Sequence, residues 1–259
     1  MRTMVQRALT DPDEYRWCHV KFLERIVLAE DDEPSRFLQH WHGRIEWEDP
    51  ERRESNVTLG AFSVYLADLV GAMTEGVSAF DVFDTAQSTF DLFQTLFDLE
   101  QYELLDSVKR LAFGEEYPLT EGVLILDRLT ILPAHRGHAV GLLAMKALVE
   151  QFRAAAGIVV LKAFPLQFEG GSSRNEDKDF READLELESF TVSSRTATSK
   201  LKKHYSRIGF VSVPRTEYMV LDPSRKLPDY DALVARTESL SVVKTGRRRN
   251  LTVVTSSRP

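Results

Sequence analysis

Residues 122–152 read GVLILDRLTILPAHRGHAVGLLAMKALVEQF, and their order decides the fold. Residues 122–132 are an apolar, β-rich run that Pro133 stops, because proline cannot donate to a strand ladder. After a short loop, Leu142, Met145, Leu148, Val149 and Phe152 recur at the spacing of one helical face. Residues 157–164, GIVVLKAF, then have the length and β-branched content of a buried strand, limited by Pro165. A strand, a loop, a helix and a second strand give a mixed α/β (α+β) class.

Working outward, residues 198–208 read as a helix that Gly209 stops, and residues 210–221 (FVSVPRTEYMVL) as a strand. Upstream, a strand begins near Asn56 and runs through Val57, Leu59, Phe62, Val64, Tyr65 and Leu66. A break over 71–76 and a strand over 77–82 would complete a hairpin. Phe90, Phe93 and Phe97, widened by Leu92, Leu96 and Leu99, predict an amphipathic helix over 86–100. Short strands are expected over 20–28 and 43–47, with a charged turn at 30–34 between them. Residues 169–188 mix charges around Gly-Gly-Ser-Ser and read as a surface loop, and a short helix is expected at 229–238.

Composition narrows the class. Of 259 residues, 43% are hydrophobic and 28% charged, which suits a soluble globular chain and excludes collagen, coiled coil and low-complexity repeats. No apolar run approaches the roughly 18 residues of a membrane span, so no membrane is expected and the cytoplasm is the default address. The single cysteine, Cys18, agrees with a reducing compartment, and sequons at Asn56 and Asn250 then read as chance matches. The formal charge is −7. Residues 224–259 carry eight basic and three acidic side chains, a net +5 that leaves −12 on residues 1–223. Such a body disfavours a nucleic-acid partner. Arg247, Arg248 and Arg249 read as solvated charge. His40, His42, His135 and His138 lack a third ligand at fixed spacing, so no metal is expected. The Gly-x-Ser-x-Gly and His-Glu-x-x-His signatures are missing.

The chemistry-bearing stretch is the loop Pro133-Ala134-His135-Arg136-Gly137-His138-Ala139-Val140-Gly141. Small residues at the start of a helix expose unpaired N–H groups at the positive end of its dipole, a ready site for phosphate. Gly137, Ala139 and Gly141 let a diphosphate approach the backbone, and Arg136 can add charge. Alanine at 139 is expected to take ordinary helical angles. Neither a Walker loop nor Gly-x-Gly-x-x-Gly fits.

Arg136-Gly137-His138-Ala139-Val140-Gly141 resembles the Arg/Gln-x-x-Gly-x-Gly/Ala signature of the GNAT superfamily of N-acetyltransferases, departing from it with alanine in the fourth place, and Ile131-Leu132-Pro133 is similar to the Val-x-Pro that often precedes it. Tyr205-Ser206-Arg207-Ile208-Gly209-Phe210 resembles the family's Tyr-x-x-x-Gly-Phe, downstream in the required order. The resemblance covers residues 122–221 and is thin before them. It departs from pattern where the Phe-rich helix separates the signature strand from the strand before it.

The resemblance implies a GNAT-like twisted sheet flanked by helices, binding acetyl-CoA or another acyl-CoA and passing its acyl group to a primary amine of a small molecule or a protein. The cofactor would lie against Ile131, Leu132, Arg136, Gly137, His138, Ala139, Val140 and Gly141. Tyr205 would serve as the acid beside the sulfur and Asp127 as the base, with Glu217, Glu169 or a water chain as other bases. The organisation expected is an N-terminal elaboration over 1–55, the acyltransferase domain over 56–222 with a helical insertion near 84–116, and a basic tail over 223–259. A homodimer is possible. The rivals are a non-catalytic acyl-CoA-binding module and an interaction protein whose exposed Phe face and basic tail dock a partner.

Overall fold

The computed structural model describes Tyr15 and residues 18–23, 34–48, 56–116, 118, 120–168, 185–186 and 192–234. Among them seven strands form one sheet in the order β1-β2-β3-β4-β5-β7-β6. These are β1 (Cys18–Phe22), β2 (Leu38–Trp47), β3 (Val57–Ala67), β4 (Val123–Ile131), β5 (Ile158–Lys162), β6 (Val211–Ser212) and β7 (Tyr218–Leu221). Neighbours are antiparallel except β4 and β5, which run parallel and are joined through α5 (Val140–Phe152). The expected α/β class is therefore realised, and β1 and β2, inside the span read as an elaboration, are the first strands of this sheet.

Both faces of the central strands are covered, which is why their sequences read as continuous apolar runs. On one face Leu142, Met145, Leu148 and Val149 of α5 pack on Leu124, Leu126, Val159 and Leu161. On the other, Val123, Ile125, Val160 and Val220 meet Phe83, Phe93, Leu96 and Phe113 from the connection between β3 and β4. Burying each such side chain contributes roughly 1.5–3 kcal/mol.

That connection overturns the expected strand over 77–82. It holds four helices, α1 (Leu69–Thr74), α2 (Ala79–Phe83), α3 (Gln87–Leu96) and α4 (Asp106–Phe113). The reason is local: the Ser78 hydroxyl accepts from the Asp81 amide while the Asp81 carboxylate accepts from the Ser78 amide, a reciprocal cap that starts a helix. Asp68 caps α1 with a single bond, its carboxylate accepting from the Gly71 amide. Helix α3 buries Leu92, Phe93 and Leu96, and Phe97 follows them into the core, whereas Phe90 is half-buried and Leu99 is exposed.

Further elements differ from expectation: β2 begins at Leu38 rather than at 43, and the strand expected over 20–28 runs over Cys18–Phe22, with 24–28 outside the described residues. Helix α6 (Ser194–Tyr205) starts four residues early, because the Ser193 hydroxyl caps it through the Thr196 amide. The single strand expected over 210–221 is a hairpin of β6 and β7, turned at Pro214-Arg215-Thr216 with Arg215 at φ 64°. A helix opens at 230. Most of the expected loop over 169–188 and the basic tail from 235 onward lie outside the described residues. No helix among the described residues is long and apolar enough to cross a membrane.

Candidate active site

The site begins with a fault in β4. Opposite β3, Leu126 pairs with Val64 and Arg128 with Ser63, so Asp127 is an extra residue, a β-bulge. Parallel pairing with β5 covers Val123 to Leu126 and stops there. Burial follows the pairing: Val123, Leu124, Ile125 and Leu126 are buried, whereas Asp127, Arg128, Leu129 and Ile131 are half-buried. A bulge bends its strand, and here it parts β4 from β5. The Leu132 amide donates to the Leu59 carbonyl at 2.9 Å. Strand alternation then turns the amides of Leu129 and Ile131 away from β3, toward the opening. Leu132 itself is core, with its N–H already taken.

The loop at the end of β4 faces this opening. Pro133–His135 forms one 3-10 turn, and Gly137 follows at φ 90° with open space where a Cβ would stand. Ala139 lies at φ 61° and ψ 4°, which corrects the expectation of helical angles: a left-handed alanine is strained by roughly 1 kcal/mol. Alternating conformations of this kind aim successive N–H groups into one concavity. Helix α5 starts here with no side-chain cap, and its first backbone bond runs from the Leu143 amide to the Ala139 carbonyl. Gly141 lets α5 sit close, since a Cβ there would lie 3.2 Å from a Leu129 methyl.

Arg136 does not serve as the free charge that its sequence position suggested. Its guanidinium donates to the Ile131 carbonyl at 2.9 Å and to the Leu185 carbonyl at 2.6 Å, bracing the loop against β4. Its amide is held by the Pro133 carbonyl. Burial lowers the guanidinium pKa from its ordinary value, opposed by Glu186. His138 is exposed and stacks on Tyr15, with ring centroids 4.8 Å apart, while Val140 is buried in the core. His135 is fully buried, neither ring nitrogen has a partner among the described residues, and burial, then repulsion from His138, lowers its pKa.

At the bulge the structure assembles a chain that the sequence did not announce. The Ser63 hydroxyl donates to the Asp127 carboxylate at 3.4 Å and lies 2.8 Å from His40 Nε2. His40 stacks on Tyr65 with centroids 4.4 Å apart. The side chains Phe62 and Val64 flanking Ser63 join the core beneath α5, so Ser63 points to the opposite face. The only sequence signal was His40-x-His42, whose rings are 5.8 Å apart. No cluster of three or more metal-ligating side chains exists among the described residues.

Tyr205 ends α6 and packs, half-buried, against the core on the α5 face, beside Leu201. Burial pushes its phenol up to about 12. The neighbouring His204 is pushed down to about 4, by burial first and by Arg207 second. Asp127, linked to Ser63, thus belongs to the face of the sheet opposite the α5 face that Tyr205 packs against. Glu169 lies outside the described residues, and the Glu217 carbonyl accepts from the Ala163 amide.

A cleft of about 540 Å³, lined in part by Phe113, Glu116, Glu150, Arg153 and Asp222, lies at the far end of α5 from the loop. Its carboxylates make it a poor phosphate site. No family model, curated protein or solved structure matches the chain.

Proposed function

We propose that this chain is an acyl-CoA-dependent N-acyltransferase of the GNAT type, which moves an acetyl group from acetyl-CoA to a primary amine. The observation that carries the reading is the parting of the parallel strands at Asp127, with an uncapped helix start at the end of the parted strand. An extended ligand with amides along its arm and a diphosphate at one end is complementary to that arrangement. The amides of Leu129 and Ile131 face the arm, though the Ile131 carbonyl is already taken by Arg136. The N–H groups of the loop from Gly137 to Gly141 face the diphosphate. Arg136 holds the loop in place rather than touching phosphate.

When bound, the thioester supplies an activated acyl carbon. Asp127, at the bulge, is placed to take the proton of the attacking amine. Tyr205, with its phenol pushed up to about 12, stays protonated at neutral pH and acts as a hydrogen-bond donor to the developing thiolate. The burial of Phe93 and Phe97 supports the enzyme reading over an exposed Phe face that docks a partner.

The test is isothermal titration of the full chain with acetyl-CoA and with CoA, beside Gly137→Glu. A glutamate there places negative charge at the diphosphate and a side chain at φ 90°. Binding by the wild type and a loss of about 10²-fold or more in the variant are expected. Thiol release in an amine screen should then fall about 10- to 10²-fold in Tyr205→Phe. A folded chain that binds neither ligand sinks the reading.

A further inference from the structure

We propose that Ser63 and His40 form a relay that carries the amine's proton from Asp127 to solvent, which makes them positioning residues for acyl transfer. The inference rests on the acyltransferase reading and adds to it the route of the proton. Three observations on three strands support it. Asp127 is the bulge residue at the opening, Ser63 lies between carboxylate and imidazole, and His40 is exposed on the far side. A half-buried carboxylate that gains a proton at each turnover must lose it before the next, and this hydrogen-bonded path joins it to water.

The proton balance is simple. An alkylammonium first gives one proton to Asp127, which frees the nitrogen lone pair. As the nitrogen bonds to the acyl carbon, the carbon–sulfur bond breaks, its electron pair leaves on sulfur, and the second nitrogen proton passes to water. Asp127 then donates to Ser63 Oγ while the Ser63 proton moves to His40 Nε2, and the imidazolium releases a proton to water. The sulfur takes its proton from solvent.

The other use of a serine beside a histidine is nucleophilic, and the geometry argues against it. In a nucleophilic pair the carboxylate orients the imidazole, whereas here it accepts from the serine and competes with His40 for the hydroxyl proton. The groups around His40 are His42 on its own strand and Ser63 and Tyr65 from β3, with Asp127 and Arg128 of β4 beyond Ser63 and Arg44 farther along β2 on the same face. The cations disfavour imidazolium and Asp127 favours it, so the carboxylate is the group whose removal should be felt.

Two measurements on the full chain decide the matter. In the first, acetyl transfer is compared between an alkylamine (benzylamine, spermidine or lysine), which is protonated at neutral pH, and hydroxylamine, which is not. Ser63→Ala and His40→Gln should each lower the alkylamine-to-hydroxylamine ratio of kcat/KM by about 10-fold or more. Equal slowing of both nucleophiles overturns the relay, as does an acetyl group found on Ser63 by mass spectrometry after incubation with acetyl-CoA. In the second, NMR follows the titration of the His40 ring, assigned from His40→Gln. Its midpoint should fall by about 0.5 pH unit in Asp127→Asn. An unmoved midpoint overturns the path. A chain that binds no acetyl-CoA but keeps this coupling overturns the acyltransferase reading and the relay with it, leaving only the hydrogen-bonded chain, whereas binding without the coupling overturns the relay alone.

Discussion

The two halves of β4 are one strand under two regimes. From Val123 to Leu126 it is paired on both edges and buried on both faces, and its side chains do nothing but hold the sheet together. From Leu129 to Ile131 its only strand partner among the described residues is β3, and Leu129 and Ile131 are half-buried on either side of the buried Thr130. One inserted residue, Asp127, separates a structural half from a half with backbone groups to spare. A strand edge left open inside a domain is costly unless something pairs with it. That cost is the physical reason to look for a ligand there.

The sharpest way to break the comparison is to truncate one side chain in each half. Leu124→Ala removes a fully buried side chain between α5 and the sheet and should cost about 3–4 kcal/mol in urea unfolding. Leu129→Ala, half-buried at the opening, should cost about 1 kcal/mol yet weaken acetyl-CoA binding, which Leu124→Ala should leave intact in the folded fraction. Equal losses of stability in the two variants would erase the distinction. Gly141→Leu attacks the second half from above. Its Cβ would stand 3.2 Å from Leu129 and 3.6 Å from Ile131, so the larger side chain must lift α5 from the strand, at about 2 kcal/mol.

How much of this could be read from the sequence depends on distance along the chain. β4, α5 and β5 were legible because each carries its own periodicity, and the loop was legible because Gly137 and Gly141 announce it. The bulge was not, because register belongs to a pair of strands: nothing in residues 122–132 says that Ser63 and Val64 skip Asp127. The hydrogen-bonded chain through Ser63 is hidden for the same reason, with partners 23 and 64 residues apart. The false strand at 77–82 was avoidable, since Ser78 and Asp81 carry the spacing of a capping box. Val77 and Val82 outweighed it by β-propensity alone. Arg136 shows the opposite limit: its position matched a phosphate contact, and only coordinates reveal that two backbone carbonyls claim it.

Acid should sharpen the contrast from the α6 side. His204 has its pKa pushed down to about 4 from 6.5, so the unfolded chain binds the extra proton between those values. The stability it confers is complete above pH 6.5 and is lost as pH falls through about 4. After discounting for partial exposure, the loss is about 2 kcal/mol. Thermal melting at pH 7.5 and 4.5 should show it, and His204→Gln should flatten the dependence.

The smallest effect tests the loop itself. Ala139 sits at φ 61° and Gly137 at φ 90°, yet only one of the two is glycine. Ala139→Gly relieves roughly 1 kcal/mol of left-handed strain and gives back part of it through the greater freedom of glycine in the unfolded chain. A net gain of about 0.5 kcal/mol in the urea midpoint is expected, with the diphosphate site unchanged because the same N–H groups keep the same directions. If Ala139→Gly stabilises the fold but weakens acetyl-CoA binding, the methyl group is what holds those directions. If it stabilises the fold and leaves binding alone, Gly137 and the Arg136 brace suffice.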